Sequence, residues 1–160
     1  MNKIVIFGNS GSGKSTLAKE LTVKYGLAHL DLDTVAWKPA ASPERQSLSA
    51  SKKLISDFLL THESWVIEGC YSDLLELVMQ QADQIIFLNL PISNCIENAK
   101  MRPWEPHKYE SKKAQDENLA MLVSWISQYT ERTDTFSKVA HETLFNNFQG
   151  KKLLYQSNER

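Results

Sequence analysis

The stretch Gly8-Asn9-Ser10-Gly11-Ser12-Gly13-Lys14-Ser15 decides the fold. It fits GxxxxGK[ST], a pattern whose chance occurrence in 160 residues is on the order of 0.5% at average residue frequencies. Before it, Ile4-Val5-Ile6-Phe7 is a continuous apolar run, as a strand buried on both faces requires. After it, Leu17, Leu21 and Tyr25 recur at helical spacing with Ala18 beside them, and Gly26 stands where a helix stops. Residues 14–25 therefore read as a helix. Glycines between a buried strand and a helix let the backbone bend until successive N–H groups converge. The helix start adds unpaired amides and a positive dipole end, so the turn is built to hold an anion.

Phosphate is the anion this pattern predicts. Gly8, Asn9, Ser10, Gly11, Ser12, Gly13, Lys14, Ser15 and Thr16 form its cradle. Lys14 is expected to reach the β- and γ-phosphates of a nucleotide, and the Ser15 hydroxyl to ligate Mg²⁺.

Working outward, strand-like and helix-like segments alternate, the mark of a parallel sheet with helices on both faces. A short second strand covers about 28–31. Ser42-Pro43-Glu44 has the order of a helix start, and that helix, or pair of helices, reaches about His62. Trp65-Val66-Ile67 is the third strand. Ser72 can cap a short helix, Ile85 to Leu90 is the fourth strand, and Pro91 ends its ladder. Ser93 can cap a helix to about Met101. Pro103-Trp104-Glu105-Pro106-His107 reads as a loop. A long helix carrying Leu122, Trp125, Ile126 and Tyr129 follows, then another from about Thr135 to Phe148, and Lys152 to Tyr155 is a fifth strand.

Composition narrows the class. Lys and Arg number 18 against 19 Asp and Glu, a net charge of -1, which argues against direct nucleic-acid binding. Hydrophobic residues make up 42% and charged residues 23%, as in an ordinary globule rather than a disordered chain. No apolar run approaches the roughly 18 residues of a membrane helix, and no signal peptide precedes the first strand, so a cytoplasmic protein is expected. Cys70 and Cys95 have no CxxC spacing and read as reduced, packed thiols. The four histidines show no metal-ligand spacing. No guanine-reading Asn/Thr-Lys-x-Asp segment is present.

Two further stretches carry a resemblance. They are Leu30-Asp31-Leu32-Asp33-Thr34-Val35-Ala36-Trp37-Lys38-Pro39 and Trp65-Val66-Ile67-Glu68-Gly69-Cys70-Tyr71-Ser72. With the glycine-rich loop, they resemble the small P-loop kinases of the adenylate kinase and shikimate kinase type. Within these, the chain most resembles the adenylate kinase-like "DNA topology modulation" proteins, over about residues 1–102. The resemblance implies one α/β/α sandwich domain over 1–160 with a five-stranded parallel sheet in the order 2-3-1-4-5. It implies an acceptor-binding segment at about 34–64 and a lid at about 103–131. It also implies ATP and Mg²⁺ as the nucleotide and metal, and a monomer or homodimer.

Site residues follow from position and from the resemblance. Asp31 and Asp33 end the second strand, at the sheet edge where such folds bind ligands. Asp31 and Asp33 are expected to point to opposite sides, one toward Mg²⁺ and the other toward the acceptor. The resemblance puts Asp33 at the acceptor and Asp31, with Glu68, at the metal. Gly69 would allow close backbone approach, and Trp37 and Tyr71 would line the acceptor pocket. Arg102 and Arg132 correspond to lid arginines that stabilise charge on the transferred group. Lys108, Lys112 and Lys113 read as the coat of an exposed face. After strand three there is neither the Asp-Gly-Phe-Pro-Arg of adenylate kinases nor the Gly-Gly-Gly of shikimate kinases, so the acceptor stays open. Lys38, Arg45, Lys52 and Lys53 are the cations of the acceptor segment. The expected activity is transfer of the γ-phosphate of Mg-ATP to a small molecule: a nucleotide, a nucleoside or a hydroxy metabolite. The alternative is a nucleotide-binding regulator or slow ATPase acting through DNA or a protein partner.

Overall fold

Alternation along Lys3–Gly8 (β1) sorts the hydrophobic interior into two cores. Val5 and Phe7 face one layer of helices; Ile4 and Ile6 face the other. In the computed structural model, which describes residues 2–38 and 44–160, β1 is the central strand of a five-stranded parallel sheet. Its partners are Trp65–Gly69 (β3) on one side and Gln84–Leu88 (β4) on the other. Ala28–Asp31 (β2) pairs with β3, and Lys151–Tyr155 (β5) with β4. The order β2-β3-β1-β4-β5 is the one expected.

Helices cover both faces. Lys14–Tyr25 (α1), Ile92–Lys100 (α5) and Lys112–Ser127 (α6) bring Leu17, Ala18, Cys95, Ala99 and Ile126 to the core that holds Ile4, Ile6 and Val66. Asp33–Ala36 (α2), Leu48–Thr61 (α3), Ser72–Met79 (α4) and Lys138–Asn147 (α7) pack on the opposite face, around Phe7, Ile67, Phe87 and Leu144. Burial of each large apolar side chain stabilises the fold by roughly 1.5–3 kcal/mol, and fully buried Trp65, Phe7, Phe87 and Ile55 anchor the second core.

Several boundaries differ from those expected, each for a local reason. Ser42 and Pro43 lie outside the described residues; α3 begins at Leu48, where the Ser47 hydroxyl accepts from the Ala50 amide. Ser72 is the first residue of α4 and caps nothing, because Tyr71 takes the cap position. Pro91, not Ser93, precedes the first turn of α5. Ser111 and Ser137 cap α6 and α7, accepting from the Ala114 and Ala140 amides. Tyr25 is half-exposed, with the Lys24 ammonium 5.2 Å from its ring centre. Among the described residues, no helix is long and apolar enough to cross a membrane.

Candidate functional site

The loop between β1 and α1 is fixed from behind by other elements. Gly11 has φ +78°, and a Cβ there would lie 2.3 Å from the Cys95 carbonyl oxygen of α5. Only glycine fits that position. Asn98 of α5 donates to the Gly11 carbonyl at 2.8 Å, and the Asn9 amide donates to the Ile126 carbonyl of α6 at 3.2 Å. Asn9 thus anchors the loop with its side chain. Gly13, at φ 92°, precedes α1, and no side chain caps the helix. The first-turn amides of an α-helix have no intrahelical acceptor. Here they open on a cavity of about 510 Å³ lined by Gly13, Lys14, Ser15 and Thr16. The Ser12 hydroxyl is buried without a partner in the same loop, and the Lys14 ammonium donates back to the Asn9 carbonyl at 2.7 Å.

The far wall of this cavity carries the acids. Glu68, at the end of β3, is buried and accepts from the Ser15 hydroxyl at 2.8 Å. His29 Nε2 lies 3.0 Å from the same Glu68 oxygen. Asp31 stands opposite Glu68 in the strand register, so the sheet itself brings Ser15, Asp31 and Glu68 to one edge. Burial, then the charges of Glu68 and Asp33, raise the Asp31 carboxyl to about 6.

Asp31 and Asp33 do not point to opposite sides. Residues two apart on a strand share a face, and where β2 ends Asp33 opens the helical turn α2 with its amide donating to Asp31 Oδ1 at 2.9 Å, which keeps the two carboxylates together. Both carboxylates line the cavity and meet one cation. Lys108 Nζ is 2.7 Å from Asp33 Oδ2, 3.6 Å from Asp31 Oδ2 and 3.6 Å from Glu105 Oε2. Lys108 is therefore no surface coat; the segment between α5 and α6 carries it across the cavity mouth. Lys112 and Lys113 do lie on the outside, paired along α6 with Asp116 and Glu117. Burial alone would raise the Asp33 carboxyl, but the charge and hydrogen bond of Lys108, with the Tyr71 hydroxyl, hold it below the usual carboxylate range. Burial alone would lower the Lys108 ammonium, and the charges of Asp33 and Asp31 instead hold it above its ordinary value.

Tyr71 and Trp37 do not line the cavity. They stand behind it as a chain: Trp37 Nε1 donates to the Tyr71 oxygen at 2.9 Å, and the Tyr71 hydroxyl donates to Asp33 Oδ1. Arg45 lies over the Tyr71 ring, 5.1 Å from its centre, and pairs with Asp73 at 3.0 Å. Gly69 does line the cavity, and a Cβ there would lie 2.8 Å from the Leu32 Cβ. Arg102 lines it too, with Nη1 3.3 Å from Glu105. Arg132 does not: its guanidinium stacks 3.4 Å from the Trp125 ring centre and donates to Gln128, so the position expected to face the transferred group holds α6 instead.

Sequence reasoning missed Lys108, Glu105 and His29. The signal for the first two was their i, i+3 spacing, with Glu105 in the stretch read as a loop and Lys108 just after it, read as a surface coat. For His29 the sequence held no signal: only the strand register, which sets it opposite Val66, two residues before Glu68 on the same face, brings it to that carboxylate.

These residues fit a magnesium nucleotide. Among the described residues, no group of three His, Cys, Asp or Glu side chains is arranged to hold a metal alone. Mg²⁺ keeps most of its water and binds through one or two carboxylates plus substrate phosphates, so Ser15, Glu68 and Asp31 beside an uncapped helix start are the donor set it needs.

Comparison with known proteins agrees with this architecture. The solved shikimate kinase from Bacteroides thetaiotaomicron superposes with a TM-score of 0.55 at 15% identity, over 99% of this chain and 89% of that one. TT1252 from Thermus thermophilus superposes with a TM-score of 0.54 at 15% identity, over 98% and 88%. The fold is that of the P-loop kinases. In sequence, the uncharacterized protein YqaC of Bacillus subtilis (strain 168) is 26% identical over 149 residues, spanning 87% of this chain and 79% of that protein. No family model matches the chain.

Proposed function

We propose that the protein is an ATP-dependent phosphotransferase acting on a small acceptor. One observation carries this: a single cavity of about 510 Å³ has the glycine-rich loop and the start of α1 on one wall and Asp33 on the other. The loop amides and Lys14 hold the phosphate chain. Ser15, Glu68 and Asp31 hold Mg²⁺, which when bound neutralises charge on the β- and γ-phosphates. Asp33, oriented by Tyr71, takes the acceptor's proton, help worth roughly 10²–10⁴ in rate. Arg102 and the segment at about 103–131 act as a lid that keeps water out. The segment at about 34–64 shapes the acceptor side.

The test is ADP formation from Mg²⁺·ATP, with and without nucleoside monophosphates, nucleosides, shikimate and gluconate, with Lys14→Ala as the blank. Stimulation by an acceptor in the wild type alone supports the reading. If the wild type binds ATP and no small hydroxylated or phosphorylated molecule raises turnover above the blank, a regulator or uncoupled ATPase replaces it.

A further inference from the structure

Asp33 offers two oxygens, and both are occupied. Oδ1 accepts from Tyr71, which lies outside the cavity lining. Oδ2 accepts from Lys108, which lies within it. An acceptor in the cavity meets Asp33 on the side of Oδ2, where the Lys108 ammonium now sits.

Charge around Lys108 is mainly negative: Asp31, Asp33 and Glu105 surround its ammonium, and the neighbouring cation, Arg102, is itself paired with Glu105 at 3.3 Å. The cations of the acceptor segment are turned elsewhere: Lys38 pairs with Glu44 at 3.1 Å, Arg45 with Asp73 at 3.0 Å and Lys53 with Asp57 at 3.2 Å. None of these, nor Lys52, lines the cavity, and residues 39–43 carry no charged side chain in the sequence. A phosphate or carboxylate on the acceptor would face Asp31 and Asp33, with Lys108 and Arg102 both already paired to carboxylates. Like charges brought together at a binding site weaken binding and so select against an anionic acceptor.

We propose that the acceptor is an uncharged or cationic hydroxylated small molecule, whose O–H takes the place of the Lys108 ammonium at Asp33 Oδ2. This rests on the phosphotransferase reading. Lys108 is then a specificity residue: it gives way to a hydrogen-bond donor and moves off with the segment that carries it. In the transfer, the acceptor O–H gives its proton to Asp33 Oδ2, and the acceptor oxygen bonds to the γ-phosphorus. The bond from that phosphorus to the β–γ bridging oxygen breaks, its electron pair stays on the bridging oxygen, and ADP leaves.

Calorimetry on the full chain, saturated with Mg²⁺ and a non-hydrolysable ATP analogue, tests this with matched pairs. The pairs are nucleosides against their monophosphates, glycerol against glycerol 3-phosphate, and ethanolamine against glycolate. In at least one pair the uncharged or cationic member is expected to bind more than about tenfold tighter than the anion. Lys108→Met, which frees Oδ2, is expected to tighten that binding several-fold, and Lys108→Arg to leave it near wild type. Tighter binding of an anionic member that is lost in Lys108→Met overturns the inference, because the lysine would then be an anion receptor. Equal binding across the pairs, or none by any uncharged or cationic member, overturns it as well. Binding of the analogue itself, compared with Lys14→Ala, separates the levels. If the wild type does not bind it, the phosphotransferase reading fails and this inference with it. If it binds and the pairs invert, only this inference fails.

Discussion

The Ser15 hydroxyl donates to Glu68 Oε2 at 2.8 Å, joining the first turn of α1 to the end of β3 across the cavity floor. Glu68→Gln keeps the shape and removes the charge. Nucleotide affinity in the presence of Mg²⁺ is expected to fall roughly 10–100-fold, while affinity without the metal changes little. Nucleotide titrations over a range of Mg²⁺ concentrations measure both; an unchanged metal dependence would remove Glu68 from the metal's surroundings.

Tyr71→Phe takes away the hydroxyl that fixes Asp33 and leaves the ring packed against Phe136 at 5.2 Å. Hydrogen bonds to charged groups contribute about 1.5–3 kcal/mol, so turnover with a working acceptor should drop about 10–100-fold. ATP affinity should not move, since Tyr71 lies outside the cavity lining. A matching loss of ATP binding would mean that the ring, not the hydroxyl, supports the site.

The pH dependence of stability should carry the mark of His141. It is fully buried, with the Tyr129 hydroxyl donating to Nδ1 at 2.7 Å and Nε2–H donating to the Cys70 carbonyl at 2.8 Å. A carbonyl can only accept, which fixes that tautomer. Burial holds the imidazole down at about 4 from an ordinary 6.5, with the bond to Cys70 offsetting part of the effect. Below pH 6.5 the unfolded chain takes up a proton that the folded chain refuses. The histidine's contribution is therefore complete above pH 6.5 and is lost as pH falls toward 4. Asp31 works the other way: its carboxyl, raised from 3.8 to about 6, binds a proton more readily in the folded chain as pH falls through 6. The difference between wild type and His141→Gln isolates the histidine. Between pH 7 and pH 5 that difference should shrink by about 2 kcal/mol in urea unfolding. A difference constant with pH would show that His141 titrates alike in both states.

Gly11→Ala forces a Cβ to 2.3 Å from the Cys95 carbonyl oxygen at a φ of +78°. Stability should fall by more than about 1–3 kcal/mol, the cost of strained backbone alone. Nucleotide binding should fall with it, because α5 must move away from the loop. Thermal unfolding with and without nucleotide checks both. Wild-type stability would mean that α5 yields at no cost.

The sheet order and the loop were legible because each rests on local chemistry. An apolar run such as Ile4-Val5-Ile6-Phe7 can be buried only as a strand or a helix, and glycine at 8 excludes the helix. Asp33 lines the cavity beside Asp31 rather than opposite it, because residues two apart on a strand share a face and the turn into α2 holds the Asp33 amide on the Asp31 carboxylate. Lys108 was illegible for a different reason. Its partners lie about 75 residues earlier in the chain, and only the closed path of the segment after α5 brings them within 2.7 Å. Arg132 shows the converse. An arginine at a helix end looks catalytic by position, while Trp125, seven residues earlier, offers it a ring to stack on.

The positions of Gly8 and Gly11 also bear on the order in which the molecule is assembled. A Cβ at Gly8 would strike the Leu88 carbonyl, and one at Gly11 the Cys95 carbonyl. The loop thus takes its form against backbone synthesised some 80 residues later, and β1 has no sheet partner before Trp65. While a ribosome makes this chain, the glycine-rich loop leaves the exit tunnel well before the backbone of β4 and α5 that shapes it. A ligand that requires the finished loop can stabilise the folded protein, but it cannot template the segments made before β4.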